Sequence, residues 1–338
     1  MTKKERIMAA IRGEKPDKLP YSFWSHMPGT DLDPEAIAEK TYEFYKTYDF
    51  DFIKTMNNGM YAIEDFGCTV DYSEIEKGGV AKLVNSPIRG GADLAKLSAC
   101  SLDEGSYARE LRHLELVLKK VEGEEVPVIF TVFAPITTAE KLCGGRLLSF
   151  VKEGFGEQVK HALTVITETT CELAKRAIGL GVDGIFLASQ TATYDKCTAA
   201  EYLEYGKPYD LQVLEAAKGG WMNTLHCHGD NIMFEILKDY PVQIFNWHAW
   251  ETFPELDEAY ALSGKCLMGG LKRTDITKRD KGAIQNQIFQ CFKQLGGRHH
   301  ILTPGCVIRY PLDEEMLAFI GQTRNEIEKV FDGKERRA

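Results

Sequence analysis

The chain has 338 residues, 44% hydrophobic and 27% charged, with a formal net charge of −9, a composition typical of a globular protein that can bury a sizeable core. That acidic balance argues against a nucleic-acid-binding surface and leaves no basic patch for a membrane. No apolar run reaches the roughly eighteen residues that spanning a bilayer takes.

Residues 1–12 read as a charged amphipathic helix without the apolar centre of a secretory leader, so the cytoplasm is the expected compartment. Extended apolar runs then follow at 19–24, 51–56, 126–133, 184–189, 222–226, 242–246, 266–270 and 300–303, each leading into a helix or a short link. The intervening helices are best marked at 34–48, 106–121, 155–179, 199–218, 276–295 and 313–331. In the last of these Met316, Ile320, Ile327 and Phe331 share one face, and Asp313 is placed to cap the N-terminus. Strand–helix alternation repeated eight times predicts an α/β fold, the (β/α)8 TIM barrel. Residues 68–90 break the rhythm and read as a β-hairpin inserted after the second strand. With no linker, low-complexity tract or longer repeat, the expectation is one domain over 1–338.

In such barrels the chemistry sits at the C-terminal ends of the strands. His26, His226, His228 and His248, four of the eight histidines, fall at those ends. In Leu225-His226-Cys227-His228-Gly229-Asp230 an extended backbone sends His226 and His228 to one side and Cys227 to the other. Pro304-Gly305-Cys306, at the end of the last strand, supplies a thiol. Two imidazoles and one thiolate make a three-ligand zinc site with an open fourth position, the arrangement of a catalytic rather than a structural zinc. Gly229 and Gly305 let the backbone turn beside these groups. Asp230 is either an acceptor for a ligand imidazole or the N-cap of a helix over 231–239.

Further candidates surround this set. His248 reads as a fourth ligand or a substrate contact, and His26 carries the same ambiguity. Ser189, Gln190, Tyr194 and Asn57 are candidates for lining a pocket, against ordinary loop polarity, and Trp247 and Trp250 for an aromatic wall, against simple packing. His299 and His300 precede the last strand, at the opposite end of the barrel, and receive no role. The nine cysteines are scattered and never form a CxxC pair, so all but Cys306 read as small buried hydrophobes. There is no GxGxxG, Walker-type, GxSxG or HExxH run, which disfavours nucleotide chemistry and serine hydrolysis.

These residues resemble the uroporphyrinogen decarboxylase superfamily, which includes cobamide-dependent methyltransferases. The likeness runs through Arg12 and Pro20, the strand ending at Ala134-Pro135, the stretch 181–189, His226-Cys227-His228-Gly229 and Ile301-Leu302-Thr303-Pro304-Gly305-Cys306. The true decarboxylases carry an arginine-rich segment after the first strand to grip carboxylates, whereas residues 21–30 here contain no arginine. The resemblance therefore favours the methyltransferase branch, whose His-x-Cys-Gly and late Gly-Cys hold zinc, with His226 and Cys306 at matching positions. His228 stands where that branch has cysteine, so two imidazoles and one thiolate leave zinc at a net +1, where one imidazole and two thiolates leave it neutral. A more positive zinc is the stronger Lewis acid, suited to an oxygen or nitrogen leaving group such as a methoxy or methylamine compound. The chain lacks the Asp-x-His-x-x-Gly motif of corrinoid carriers, so a cobamide would arrive on a separate protein. The implied activity is zinc-dependent methyl transfer between a small molecule (a methoxy, methylamine or thiol compound) and that corrinoid protein. A metal-free uroporphyrinogen-type decarboxylase and a non-enzymatic barrel that binds a small molecule or a corrinoid are the alternatives.

Overall fold

The computed structural model describes residues 1–335. The opening helix, Lys3–Arg12, is started by Thr2, whose hydroxyl accepts from the Glu5 amide while the Glu5 carboxylate accepts from the Thr2 amide. Helix Pro34–Tyr48 follows, with Asp33 as its N-cap and Pro34 at the first turn.

Strand β1 (Ile53–Lys54) begins the central sheet. Strands β2 (Thr69–Asp71) and β3 (Lys82–Asn85) pair antiparallel with each other and stand apart from it. The rest of the sheet is β4 (Val128–Phe133), β5 (Gly184–Ser189), β6 (Thr224–Cys227), β7 (Ile244–Trp247), β8 (Cys266–Leu271) and β9 (His300–Pro304). These seven strands, β1 and β4 to β9, are all parallel and adjacent in chain order, giving a curled sheet wrapped by helices. Every residue of β4 to β9 is buried, as a parallel sheet covered on both faces requires.

Seven of the eight expected strands thus exist; the run at 19–24 does not form one. Pro20 has no amide to donate, and the Tyr21 amide goes to Asp51 Oδ2 at 2.9 Å. What remains is a string of bridges: Leu302 N–H to Pro20 O at 2.8 Å, Ser22 N–H to Leu302 O at 3.2 Å, and Asp51 N–H to Tyr21 O at 2.9 Å. This segment therefore touches β9 on one side and the entry to β1 on the other.

Helix boundaries shift where the sequence carries breakers. The helix expected at 199–218 divides into Ala199–Tyr205 and Lys207–Ala216, parted at Gly206 before Pro208. The one expected at 276–295 divides into Arg273–Thr277 and Lys281–Leu295, the second capped by Asp280 onto the Ala283 amide. The final helix is Glu314–Glu335, and the Met316 amide donates to Asp313 Oδ1 at 2.7 Å, the capping bond its position calls for. Among the described residues no helix is long and apolar enough to cross a membrane.

Candidate metal centre

The parallel register explains which side chains meet. Ala188, His226 and Asn246 are direct partners across β5, β6 and β7, and so face the same side of the sheet. Ser189, Cys227 and Trp247, one residue on, face the other side. His226 Nδ1 lies 2.6 Å from Asn246 Oδ1. The Asn246 amide nitrogen is committed to Met268 O at 2.8 Å and Pro304 O at 3.4 Å, so its oxygen must face the ring and His226 Nδ1 carries the proton. His226 Nε2 is left with a free lone pair.

His226, His228, His248 and Cys306 each present one ligand atom, and these four atoms lie within 4.8 Å of one another. His228 leaves the end of β6 with its amide bonded to Ser189 O at 3.0 Å, and its Nδ1 is 3.7 Å from Cys306 Sγ. His248 Nε2 is buried with no hydrogen-bond partner. Two glycines permit the convergence. Gly229 has φ +129°, and a Cβ on Gly305 would lie 2.7 Å from Trp247 O and 2.8 Å from His248 Cα. Any side chain at 305 would push Cys306 away from His248.

The electrostatics keep the imidazoles neutral. Burial, then the neighbouring His228 and His248, hold His226 well below its usual value. Burial and His248 bring His228 down to about 3, and burial and Arg273 bring His248 to about 4. Burial pushes the Cys306 thiol up. Uncharged imidazole nitrogens and a neighbouring thiol are the donor set that a thiophilic divalent cation satisfies, and the orphaned His248 Nε2 fits such a guest.

This cluster opens onto a cavity of about 310 Å³. His226, His228 and Cys306 line it, and His248 does not. Gln190, Asn57 and His26 also line the cavity. Asn57 is already engaged, giving its amide to Glu110 Oε2 at 2.7 Å and accepting from Thr55 Oγ1 at 2.8 Å. Burial brings His26 to about 4, and its Nδ1 stands 3.8 Å from Asp31 Oδ2.

The remaining candidates lie elsewhere. Ser189 is buried with its hydroxyl 3.5 Å from Tyr202 Oη, and Trp247 is buried with Nε1 donating to Pro254 O at 3.0 Å. Both face outward by strand alternation. Trp250 donates to Gly270 O at 2.9 Å, and Tyr194 is 48% exposed on a loop outside the cavity. The helix after β6 is Phe234–Leu237, starting too late for Asp230 to cap it; Asp230 instead sets its charge near His248.

The cavity also holds side chains the sequence reading passes over: Lys54, Lys141, Arg273 and Arg309, with Trp24, Phe133 and Phe186 between them. Only Lys54 left a trace in the sequence, a lysine inside the apolar run 51–56.

Two curated proteins are similar to this chain. The methylcobamide:CoM methyltransferase MtbA of Methanosarcina acetivorans is 22% identical over 230 residues, covering 64% of this chain and 67% of its own. The protein of that name from Methanosarcina mazei is 24% identical over 238 residues, again covering 64% and 67%. Among solved structures, a methyltransferase from Methanosarcina mazei superposes with a TM-score of 0.83 at 18% identity, covering 96% of this chain and 99% of that one, which shows a shared fold. Residues 2–327 match the uroporphyrinogen decarboxylase (URO-D) description, and the chain belongs to that family.

Proposed function

We propose that this protein is a zinc-dependent methyltransferase that moves a methyl group between a small molecule and a separate corrinoid protein. The observation that carries the proposal is the convergence of His226, His228, His248 and Cys306 within 4.8 Å. Its support from relatives is that two similar proteins are named methylcobamide:CoM methyltransferases. In this reading the segment at 19–25 closes the curled sheet into a (β/α)8 barrel, residues 68–90 form a hairpin set over its mouth, and 1–338 act as one domain.

His226, His228 and Cys306 would hold zinc at the cavity, with His248 as a further donor. Zinc bound there supplies a Lewis acid for the methyl-bearing heteroatom, and the partner's corrinoid cobalt supplies the methyl-carrying chemistry. The protein's own residues position and enclose. The Asn246 side chain fixes the His226 ring in the tautomer that offers Nε2. Trp24, Phe133 and Phe186 keep water from the reacting atoms, and Gln190 contributes a polar contact at the cavity wall.

A decarboxylase acting on a carboxylate-rich substrate is the second reading, favoured by the cationic cavity residues. The cavity's 310 Å³ lies at the low end for small-molecule sites, which favours a compact substrate over a tetrapyrrole. Metal analysis of the purified wild-type protein beside Cys306→Ala decides between them. About one zinc per chain, lost in the variant together with demethylation of methylcobalamin, is the expected result. A zinc-free wild type, or activity that survives chelation, would overturn the proposal.

A further inference from the structure

The cavity wall is charged in a way the whole chain is not. Acidic residues outnumber basic ones by 50 to 41, yet the cavity is lined by Lys54, Lys141, Arg273 and Arg309 and by no aspartate or glutamate. The four come from separate places: β1, the helix Pro135–Leu142 after β4, the helix Arg273–Thr277 after β8, and the loop beyond β9.

Among the described residues none of the four makes an ion pair with a carboxylate, although the Glu251 charge bears on Arg273 and the Cys306 sulfur lies near Lys54, Arg273 and Arg309. The Lys54 ammonium donates to Thr131 Oγ1 at 2.9 Å and lies 4.6 Å from the centre of the Phe186 ring. The Lys141 ammonium donates to Gly59 O at 2.6 Å and sits 3.6 Å from the centre of the Phe133 ring. Arg309 Nη1 donates to Gly79 O at 2.8 Å. Carbonyls, hydroxyls and ring faces orient a cation without neutralising it, and a buried cation lacking a counter-charge is costly. Burial accordingly draws both lysines down to about 7. An anion entering the cavity would relieve that cost, whereas a protonated amine would add a further positive charge to it.

We propose that the small-molecule substrate is a compact organic oxyanion with an apolar body. Its carboxylate or sulfonate is held by Lys54, Lys141, Arg273 and Arg309, and its body lies against Trp24, Phe133 and Phe186. The proposal deepens the methyltransferase reading, on which the identity of the methyl-bearing end rests, and selects methoxy or thiol compounds that carry an acid group over methylamines. The anion site itself involves no metal.

Calorimetric titration of the metal-depleted and the zinc-loaded protein with four probes of one shape tests it: 4-methoxybenzoate, 4-methoxybenzenesulfonate, 4-methoxybenzyl alcohol and 4-methoxybenzylamine. At least one anion should bind about tenfold or more tighter than the alcohol in both preparations, with the amine weakest. The benzoate and sulfonate arms identify the acid group. Lys141→Met and Arg273→Met should each weaken the anion about tenfold and leave the alcohol within about twofold. Should Lys141→Met fail to fold by circular dichroism, Arg273→Met carries the comparison. An amine that binds as well as the anions, an alcohol that matches them, no binding of any probe, or anion affinity unchanged in the folded variants would each overturn the proposal. Anion binding without methyl transfer in the zinc-loaded protein would instead refute the methyltransferase reading alone.

Discussion

One part of the cavity wall carries imidazoles and a thiol whose surroundings hold them uncharged; a second, close beside it, carries two lysines and two arginines with no carboxylate in ion-pair contact. Both walls bury polar groups with unmet needs, and the needs differ. The first lacks a cation that accepts lone pairs, as the unpartnered His248 Nε2 records. The second lacks an anion. A molecule with a Lewis-basic, methyl-bearing atom at one end and an acid group at the other would answer both.

Removing a donor from the first wall should have the largest effect. His226→Ala is expected to reduce bound zinc from about one to under about a tenth per chain. Methyl transfer from methylcobalamin should fall about a thousandfold with it, and metal analysis beside a cobalamin absorbance assay checks both. Normal zinc in that variant would separate the cluster from metal binding altogether. Asn246→Ala should do less, since the ring stays but its tautomer and orientation are no longer imposed. A zinc affinity about 10- to 100-fold weaker is expected, read by competition with a chromogenic chelator. Stability should also fall by about 1–3 kcal/mol, because the Met268 and Pro304 carbonyls lose their donor.

The two walls were not equally legible in the sequence. His226 and His228 stand two apart on one strand, and Cys306 ends another, so strand alternation and the rule that barrel chemistry sits at strand ends suffice to bring them together. Strand alternation also holds the reason Ser189 and Trp247 miss the cavity: each is one residue out of phase with Ala188 and Asn246. The cations follow no such pattern. Lys141 lies within a helix, Arg273 opens another, and Arg309 belongs to a loop, with no shared spacing to link them. An arginine-free stretch at 21–30 points away from anionic substrates, but the charge is supplied instead from 54, 141, 273 and 309, which only the folded chain brings together. The first strand failed for a local reason, a proline without a donor and a tyrosine amide taken by Asp51.

His248 sharpens the first wall. It belongs to the cluster yet not to the cavity lining, so His248→Ala should keep its zinc at an affinity about tenfold weaker, with three donors remaining. Loss of zinc as complete as in His226→Ala would mean that all four donors are required, leaving the substrate to displace one of them. Equilibrium metal competition on the two variants side by side distinguishes the cases.

The smallest effect concerns a buried carboxyl outside the cavity, where burial favours the neutral form as it does for the lysines. Asp210 is fully buried, accepts from the Tyr202 and Tyr240 hydroxyls through Oδ2 at 2.5 and 3.1 Å, and leaves Oδ1 without a partner. Burial raises it from 3.8 to about 7, so this side chain avoids the cost of an unpaired charge by keeping its proton. Between those two values the folded chain binds more protons at this site than the unfolded chain. Its contribution to stability is therefore complete below about pH 4 and is lost as pH climbs toward 7, the reverse of a salt-bridged aspartate. Asp210→Asn, neutral at every pH and close in shape, should remove that slope. Thermal unfolding of both proteins from pH 4.5 to 7.5 is expected to show their midpoints diverging in favour of the variant at the upper end. Parallel curves would mean that Asp210 is already ionised in the fold, and that the two tyrosine hydroxyls, unlike the threonine and ring faces around Lys54, suffice to hold a buried charge.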